Sequence, residues 1–481
     1  DFMRVHLVRA AATAVVAGML ATGIFSTGAQ ATDGMKMSGW LPYWLMNTST
    51  TDAVSNADLF EDVSPFWFDA QVESSKTSSV GIMSNSLSWG TRPAILASLQ
   101  RNGIKVLPSI TDGTPARHMA SVLATPDKRT AFIGQITALV NNNGYDGIDL
   151  DFEKFAFNDG QQTWTTTKPA WVGFIAELAT SLHATGKLLS VSVPPMYSDT
   201  SGYWVYAFRE LAPHIDKLRI MAYDYSWDSA GPIGGPLTWV RTVLGYAVDA
   251  APASKVYLGT PTYGRDWVTS SSGAGCPASF ASRTYNSSEV TFTDEWVRSS
   301  PSMERTRTYT EAYNATCTVS RTAWMPDSQT TLARWKVAQE FGIAGLAQWM
   351  VGTEQSGQWD LLRSEALQPP TPAPDPQPLP VSAVPPVVNP PAAPVRGKVS
   401  PVEIWLVKKG RSAVTIKGKF AAAGVRKVTI YRKINGKFRK VATARTTAGG
   451  KFTVRFTLPG KTLKLRAGSA LGSSQVLIVK R

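Results

Sequence analysis

The stretch Gly144-Tyr145-Asp146-Gly147-Ile148-Asp149-Leu150-Asp151-Phe152-Glu153 constrains this chain more than any other. Read as a β-strand, it sends alternate side chains to opposite faces. Ile148, Leu150 and Phe152 then form an apolar face fit to pack under helices. Asp149, Asp151 and Glu153 form the other face, with no basic residue until Lys154. Three carboxylates so close cannot all stay ionised, so the group is expected to share protons and titrate together. Such an arrangement works against folding and suits acid catalysis. The acids alone also fit a solvated strand end or a divalent-cation site, but neither needs strict alternation with bulky apolar residues.

A strand packed under helices predicts neighbours of the same kind. From Met37 to Leu367 short apolar runs alternate with amphipathic stretches, the pattern of a parallel α/β fold. The predicted strands are 39–44, 63–68, 105–110, 147–153, 188–193, 218–223, 255–260 and 345–350, and predicted helices include 92–102, 128–141, 168–184 and 330–341. Eight strands over about 330 residues is the count of a (β/α)8 TIM barrel with insertions, placed at 36–367. A doubly wound sheet is the alternative, but no glycine-rich phosphate loop follows the first strand. Between the seventh and eighth strands lies a long insertion, about 268–329, which holds both cysteines and β-prone runs at 289–292 and 306–313.

The ends of the chain read differently. Arg4 and Arg9, the apolar run 10–25 and Ala29-Gln30-Ala31 make residues 1–31 a secretory signal peptide, with Met3 as its start. An uncleaved membrane anchor is the alternative. Secretion favours a disulfide between Cys276 and Cys317, the only cysteines, over two unpaired buried thiols. Residues 368–397 are a proline-rich linker. Residues 398–481 alternate in strand fashion around Asn435-Gly436 and Gly449-Gly450, as in a small Ig-like all-β sandwich. The net charge of +14 is unevenly held: 21 lysines and arginines lie from Lys398 onward against the single acid Glu403. That part carries +20 and the remainder −6, so this is an acidic body with a basic tail domain rather than a uniformly basic nucleic-acid binder. The four histidines show no metal spacing and no dinucleotide motif is present, so neither metal nor cofactor is expected.

Asp146, Asp149, Asp151 and Glu153 fill every acidic position of the D-x-x-D-x-D-x-E signature, and the stretch closely resembles glycoside hydrolase family 18, the chitinase-like hydrolases. Further resemblances fall at later strand ends in the family's order. Met221-Ala222-Tyr223-Asp224 is similar to M-x-Y-D, Tyr263-Gly264-Arg265 to the Y-G-R segment that here runs on to Trp267, and Trp349 to the family's tryptophan at the cleft floor. The first strand adds Trp40, Tyr43 and Trp44. The insertion looks like the small α+β unit that some members carry.

What the resemblance implies is a retaining, substrate-assisted glycosidase with a barrel-mouth active site. Glu153 would be the general acid and Asp151 the partner of the substrate's acetamido N–H. Asp149 would share a proton with Asp151, and Tyr223 would donate to the acetamido oxygen. Trp349, Asp224, Trp40, Tyr43, Tyr263, Arg265 and Trp267 would bind sugar, with Asp146 bracing the strand entry. The partner would be an N-acetylglucosamine polysaccharide, chitin or peptidoglycan. The charge partition, independently of the resemblance, leads to the expectation that the basic domain holds an anionic wall polymer outside the cell. A silent glycan-binding lectin or a wall-attachment protein on the same barrel are the other classes. The intact acids and Tyr223 argue against both.

Overall fold

The computed structural model describes residues 34–73, 80–84 and 91–366, together with strands between 402 and 480. The expected signal peptide (1–31) and the expected linker (368–397) lie outside the described residues.

Eight parallel strands close on themselves into a barrel. In chain order they are Lys36–Leu41, Phe60–Pro65 continued by Phe68–Val72, Lys105–Val106 continued by Ser109–Asp112, Gly147–Asp151, Leu188–Val193, Lys217–Ile220, Val256–Pro261 and Gly345–Trp349. Each pairs with the next, and the eighth returns to the first through Gly345 beside Lys36. Val80–Ser84 adds an antiparallel strand beside Phe68–Val72. The predicted strands all exist, but their ends differ where local chemistry intervenes. Pro42 ends the first at Leu41 and opens a 3-10 turn, Tyr43–Leu45. Pro65 and Pro108, which have no N–H to give, fall where the second and third strands break. The sixth ends at Ile220, because Ala222 and Tyr223 donate to carbonyls only two residues back.

Outward-facing Ile148, Leu150, Leu189, Val191, Leu218 and Ile220 are buried beneath the helix ring. Each such side chain contributes about 1.5–3 kcal/mol by leaving water. Helices Arg92–Arg101, Pro126–Asn143, Trp164–His183 and Ser328–Glu340 cover the predicted ones. Pro126 starts the second of these at a position where no N–H is needed, and Gly144 ends it with φ +68°. Asp327 caps the last through Thr330.

The barrel interior is polar where a packed barrel would hold branched apolar residues. Ser38, Asp62, Ser64, Ser109, Asp149, Ser190, Ser192, Lys217 and Arg219 are all buried, at alternating positions along their strands.

The insertion is almost entirely strand. Tyr263–Ser272, Arg283–Asn286, Val297–Arg298, Arg305–Asn314 and Cys317–Met325 form one five-stranded antiparallel sheet. Its helical part is the 3-10 turn Ser287–Glu289. The run 306–313 lies in a strand, whereas 289–292 begins in the 3-10 turn and continues without a strand. The sheet starts at Tyr263, directly after the seventh strand, and a disulfide joins Cys276 to Cys317.

Near the C-terminus, Val402–Lys409, Ala413–Phe420 and Lys451–Thr457 make one antiparallel sheet. Lys427–Ile434, Lys437–Arg445, Thr462–Ser469, Gly472–Ser473 and Leu477–Lys480 make a second, as a small all-β unit requires. Among the described residues no helix is long and apolar enough to cross a membrane.

Candidate active site

The fourth barrel strand carries Asp149 and Asp151 into the barrel, both buried. Glu153 is not on that strand. The strand stops at Asp151, and Glu153 takes helical angles (φ −82°, ψ −15°) at the start of the short helix Lys154–Phe157. Tyr206 secures this turn by donating its hydroxyl to the Phe152 carbonyl at 2.6 Å. The turn brings the Glu153 and Asp151 carboxyls into a hydrogen bond. Lys154 points its charge elsewhere, donating to the Thr114 carbonyl.

Burial pushes the Asp151 carboxyl well above the usual carboxylate range, and the charges of Glu153 and Asp149 add to the effect. Glu153 is pushed up to about 7, by burial first and then by the charge of Asp224, with the Asp151 hydrogen bond opposing. The pair therefore holds protons that an exposed carboxylate would have lost.

Asp149 sits one layer deeper with its oxygens occupied. Trp40 Nε1 donates at 3.2 Å, Ser109 Oγ at 2.9 Å, Ser190 Oγ at 2.7 Å and Ser192 Oγ at 2.9 Å. Arg219 Nη1 lies 3.4 Å away. Asp149 was expected to share a proton with Asp151; its oxygens meet these donors, while the Asp151 carboxyl lies against that of Glu153.

Across the mouth, Tyr223 follows the sixth strand. Burial and the nearby charges of Asp151, Glu153 and Asp224 hold its phenol far above the usual range, so it remains an O–H donor. Gly259 on the seventh strand makes room for it: an added Cβ would lie 2.4 Å from the Ile220 carbonyl oxygen and 3.1 Å from the Tyr223 ring. Asp224 takes a left-handed backbone (φ +55°) and accepts from the Tyr263 hydroxyl at 2.6 Å and from Arg265 Nη2 at 2.9 Å.

The structure sorts the predicted sugar-contacting residues. Trp349 is half-buried, with Phe66 at 4.9 Å, Trp40 at 6.3 Å and Trp44 at 6.4 Å between ring centroids. Tyr43, half-buried, packs edge-on against Trp44, which at 40% exposure is the open ring of this group. Trp40 is only 1% exposed and serves Asp149 from below. Tyr263 and Arg265 hold Asp224, and Trp267 is buried against Ile233 and Tyr263. Asp146 lies at the far end of the strand, accepting from Val106 N at 2.8 Å and Gln100 Nε2 at 2.9 Å. Sequence reasoning missed Ser109, Ser190, Ser192 and Arg219. For Ser190, Ser192 and Arg219 the signal was present in the alternation of Ser190-Val191-Ser192-Val193 and of Lys217–Ile220, where every second residue is polar.

The family model for glycosyl hydrolases family 18 matches residues 69–354, more than half of the chain. The chain belongs to glycosyl hydrolase family 18. The family 18 match runs from the second barrel strand to the loop after the eighth, and so takes in every acid just described. Among its relatives is the putative sporulation-specific glycosylase YdhD of Bacillus subtilis, 27% identical over 241 residues, covering 48% of this chain and 53% of that protein. Another is the cortical fragment-lytic enzyme of Bacillus anthracis, 25% identical over 288 residues, covering 56% and 63%. The chain thus spans roughly half to two thirds of these relatives. In fold it is similar to the C-terminal domain of a putative chitinase from Desulfitobacterium hafniense, at TM-score 0.57 and 23% identity over 70% of this chain and 100% of that one.

Proposed function

We propose that this family 18 protein is a secreted glycoside hydrolase that cleaves β-1,4 linkages of N-acetylglucosamine-containing polymers, chitin or peptidoglycan. The observation that carries the reading is the hydrogen-bonded Asp151–Glu153 pair at the barrel mouth, holding protons that ordinary carboxylates lose. No second protein carboxylate attacks the sugar. The substrate's own acetamido oxygen does so, with retention of configuration through an oxazolinium ion. An acetamido N–H arriving at Asp151 favours its ionised form. The shared proton then rests on Glu153, ready for the glycosidic oxygen. Tyr223 donates to the acetamido oxygen and orients it, while Trp349 offers a flat apolar floor. Water then opens the oxazolinium with Glu153 as base.

The two candidate polymers present the same N-acetyl group, and the chain resembles both a cortical fragment-lytic enzyme and a putative chitinase. Mass spectrometry of products after incubation with each polymer tests the reading. N-acetylglucosamine-ended fragments from at least one are expected, and intact polymer in both incubations rejects it.

The basic domain supports a second part of the reading, retention on an anionic wall. Its +20 is set apart from an acidic catalytic body. Binding to isolated walls is expected to fall steeply as salt shortens the Debye length below about 8 Å. Deleting 398–481 is expected to release the protein from walls while leaving hydrolysis of soluble oligosaccharides unchanged. Retention that persists in high salt argues against this part.

A further inference from the structure

We propose that Arg219 is a positioning residue for the hydrolysis: paired with Asp149 in the barrel centre, it places a fixed positive charge beneath the acidic cluster, so that the cluster enters catalysis with one proton, shared by Asp151 and Glu153. The inference rests on the reading of those two residues as the catalytic pair.

The argument starts from what each neighbour of Asp149 is able to do. Ser109, Ser190 and Ser192 donate to it now, but a hydroxyl also accepts, so all three would serve a protonated Asp149 equally well. Two neighbours donate and never accept: the Trp40 indole N–H and the Arg219 guanidinium. Of these only Arg219 carries charge. It is fully buried and 3.4 Å from Asp149, where the low dielectric strengthens its effect.

Arg219 is itself held from the other side. It pairs with Asp62 and donates to Ser64, with its carbon 5.7 Å from the centre of the Trp40 ring. Asp62 also accepts from Ser38 at 2.7 Å and faces Lys217 at 2.7 Å. Lys217 in turn reaches Glu61 at 2.8 Å and the Tyr257 hydroxyl at 2.7 Å.

The charged and titratable groups around Asp149 are therefore Asp151 on its own strand and Arg219 and Lys217 on the sixth. Asp62 and Glu61 come from the second, Tyr257 from the seventh, and Glu153, Tyr223 and Asp224 from the mouth. The partners from the first, third and fifth strands are Trp40 and the three serines, all uncharged. Among the described residues, Arg219 alone places a cation directly on Asp149. Without it, the acidic cluster carries more uncompensated negative charge and takes up an extra proton at a higher pH, at the expense of the productive one-proton state.

The test is the pH dependence of kcat/KM on soluble N-acetylglucosamine oligosaccharides, measured with the full chain. In Arg219→Gln the acidic limb is expected to rise by about one pH unit or more, the size set by losing a full charge at such range. Arg219→Lys, which keeps the charge, is expected to restore most of the wild-type profile. Trp40→Phe, which removes one obligate donor, is expected to move the limb upward by less. Asp62→Asn removes an anion that competes for Arg219 and is expected to move the limb downward.

A merely structural Arg219 would lower kcat without moving the limb, and a fixed limb in folded Arg219→Gln overturns the proposal. Should that variant not fold, Trp40→Phe and Asp62→Asn decide: shifts of opposite sign support the proposal, and shifts of one sign, or none, overturn it. A wild-type chain that gives no hydrolysis, and hence no profile, identifies instead a failure of the glycosidase reading on which this rests.

Discussion

Glu153→Gln is expected to lower hydrolysis by about 10²–10⁴-fold while oligosaccharide binding stays near wild type, because only the proton donor is lost. The amide still donates to Asp151, so the hydrogen bond that shapes the mouth is kept. Turnover and binding are read separately, by product release and by calorimetric titration. Turnover within a few-fold of wild type would show that Glu153 is not the acid. The same residue gives a stability signature of defined sign. A carboxyl raised from 4.5 to about 7 in the folded state costs stability progressively as pH rises through that window. Melting of wild type and Glu153→Gln is therefore expected to match near pH 4. Above pH 7 the variant should be the more stable. Its pH–rate profile has a counterpart in the wild type, where activity declines as pH rises through the range in which the pair gives up its proton.

The second large effect concerns the acetamido group. Tyr223→Phe is expected to reduce kcat by about 10²–10³-fold, the usual loss when one pre-aligned donor is removed from a developing charge. Asp151→Asn is expected to fall at least as far, since it removes both the acetamido N–H partner and the group that exchanges a proton with Glu153. Both should leave ground-state binding comparatively intact, because the contacts strengthen only as the acetamido oxygen becomes a nucleophile. Fully deacetylated chitosan provides the substrate-side control. If it is cleaved as fast as the acetylated polymer, substrate assistance is wrong and Tyr223 needs another role.

Much of this protein was legible before any coordinates, for reasons that are local. Alternation in 147–153 needs only the two-residue period of a strand, so the inward placement of Asp149 and Asp151 followed directly. The eight strands and four named helices were each readable from apolar periodicity within a dozen residues. The cluster of lysines and arginines after Lys398 is a property of composition alone. The seventh-to-eighth insertion was visible as a gap, although its strand content was underestimated.

What the tertiary structure decided is which groups meet. Glu153 was placed on the strand by extending its alternation, but the chain turns helical after Asp151 and Tyr206 holds that turn from 54 residues away. Asp149 was paired with Asp151 in sequence, but in the barrel serines from the third and fifth strands occupy its oxygens, and the Asp151 carboxyl meets that of Glu153. Trp40 reads like a sugar platform in sequence and is a buried donor in the barrel, a role set by Asp149 being 109 residues away in sequence and 3.2 Å away in space. Sequence order by itself determined the strands, the helices and the inward-facing aspartates, since each depends on neighbours in the chain. The partners of every buried charge, and so which carboxyl carries the proton, depended on barrel closure, which sets eight separate strands side by side at hydrogen-bonding distance.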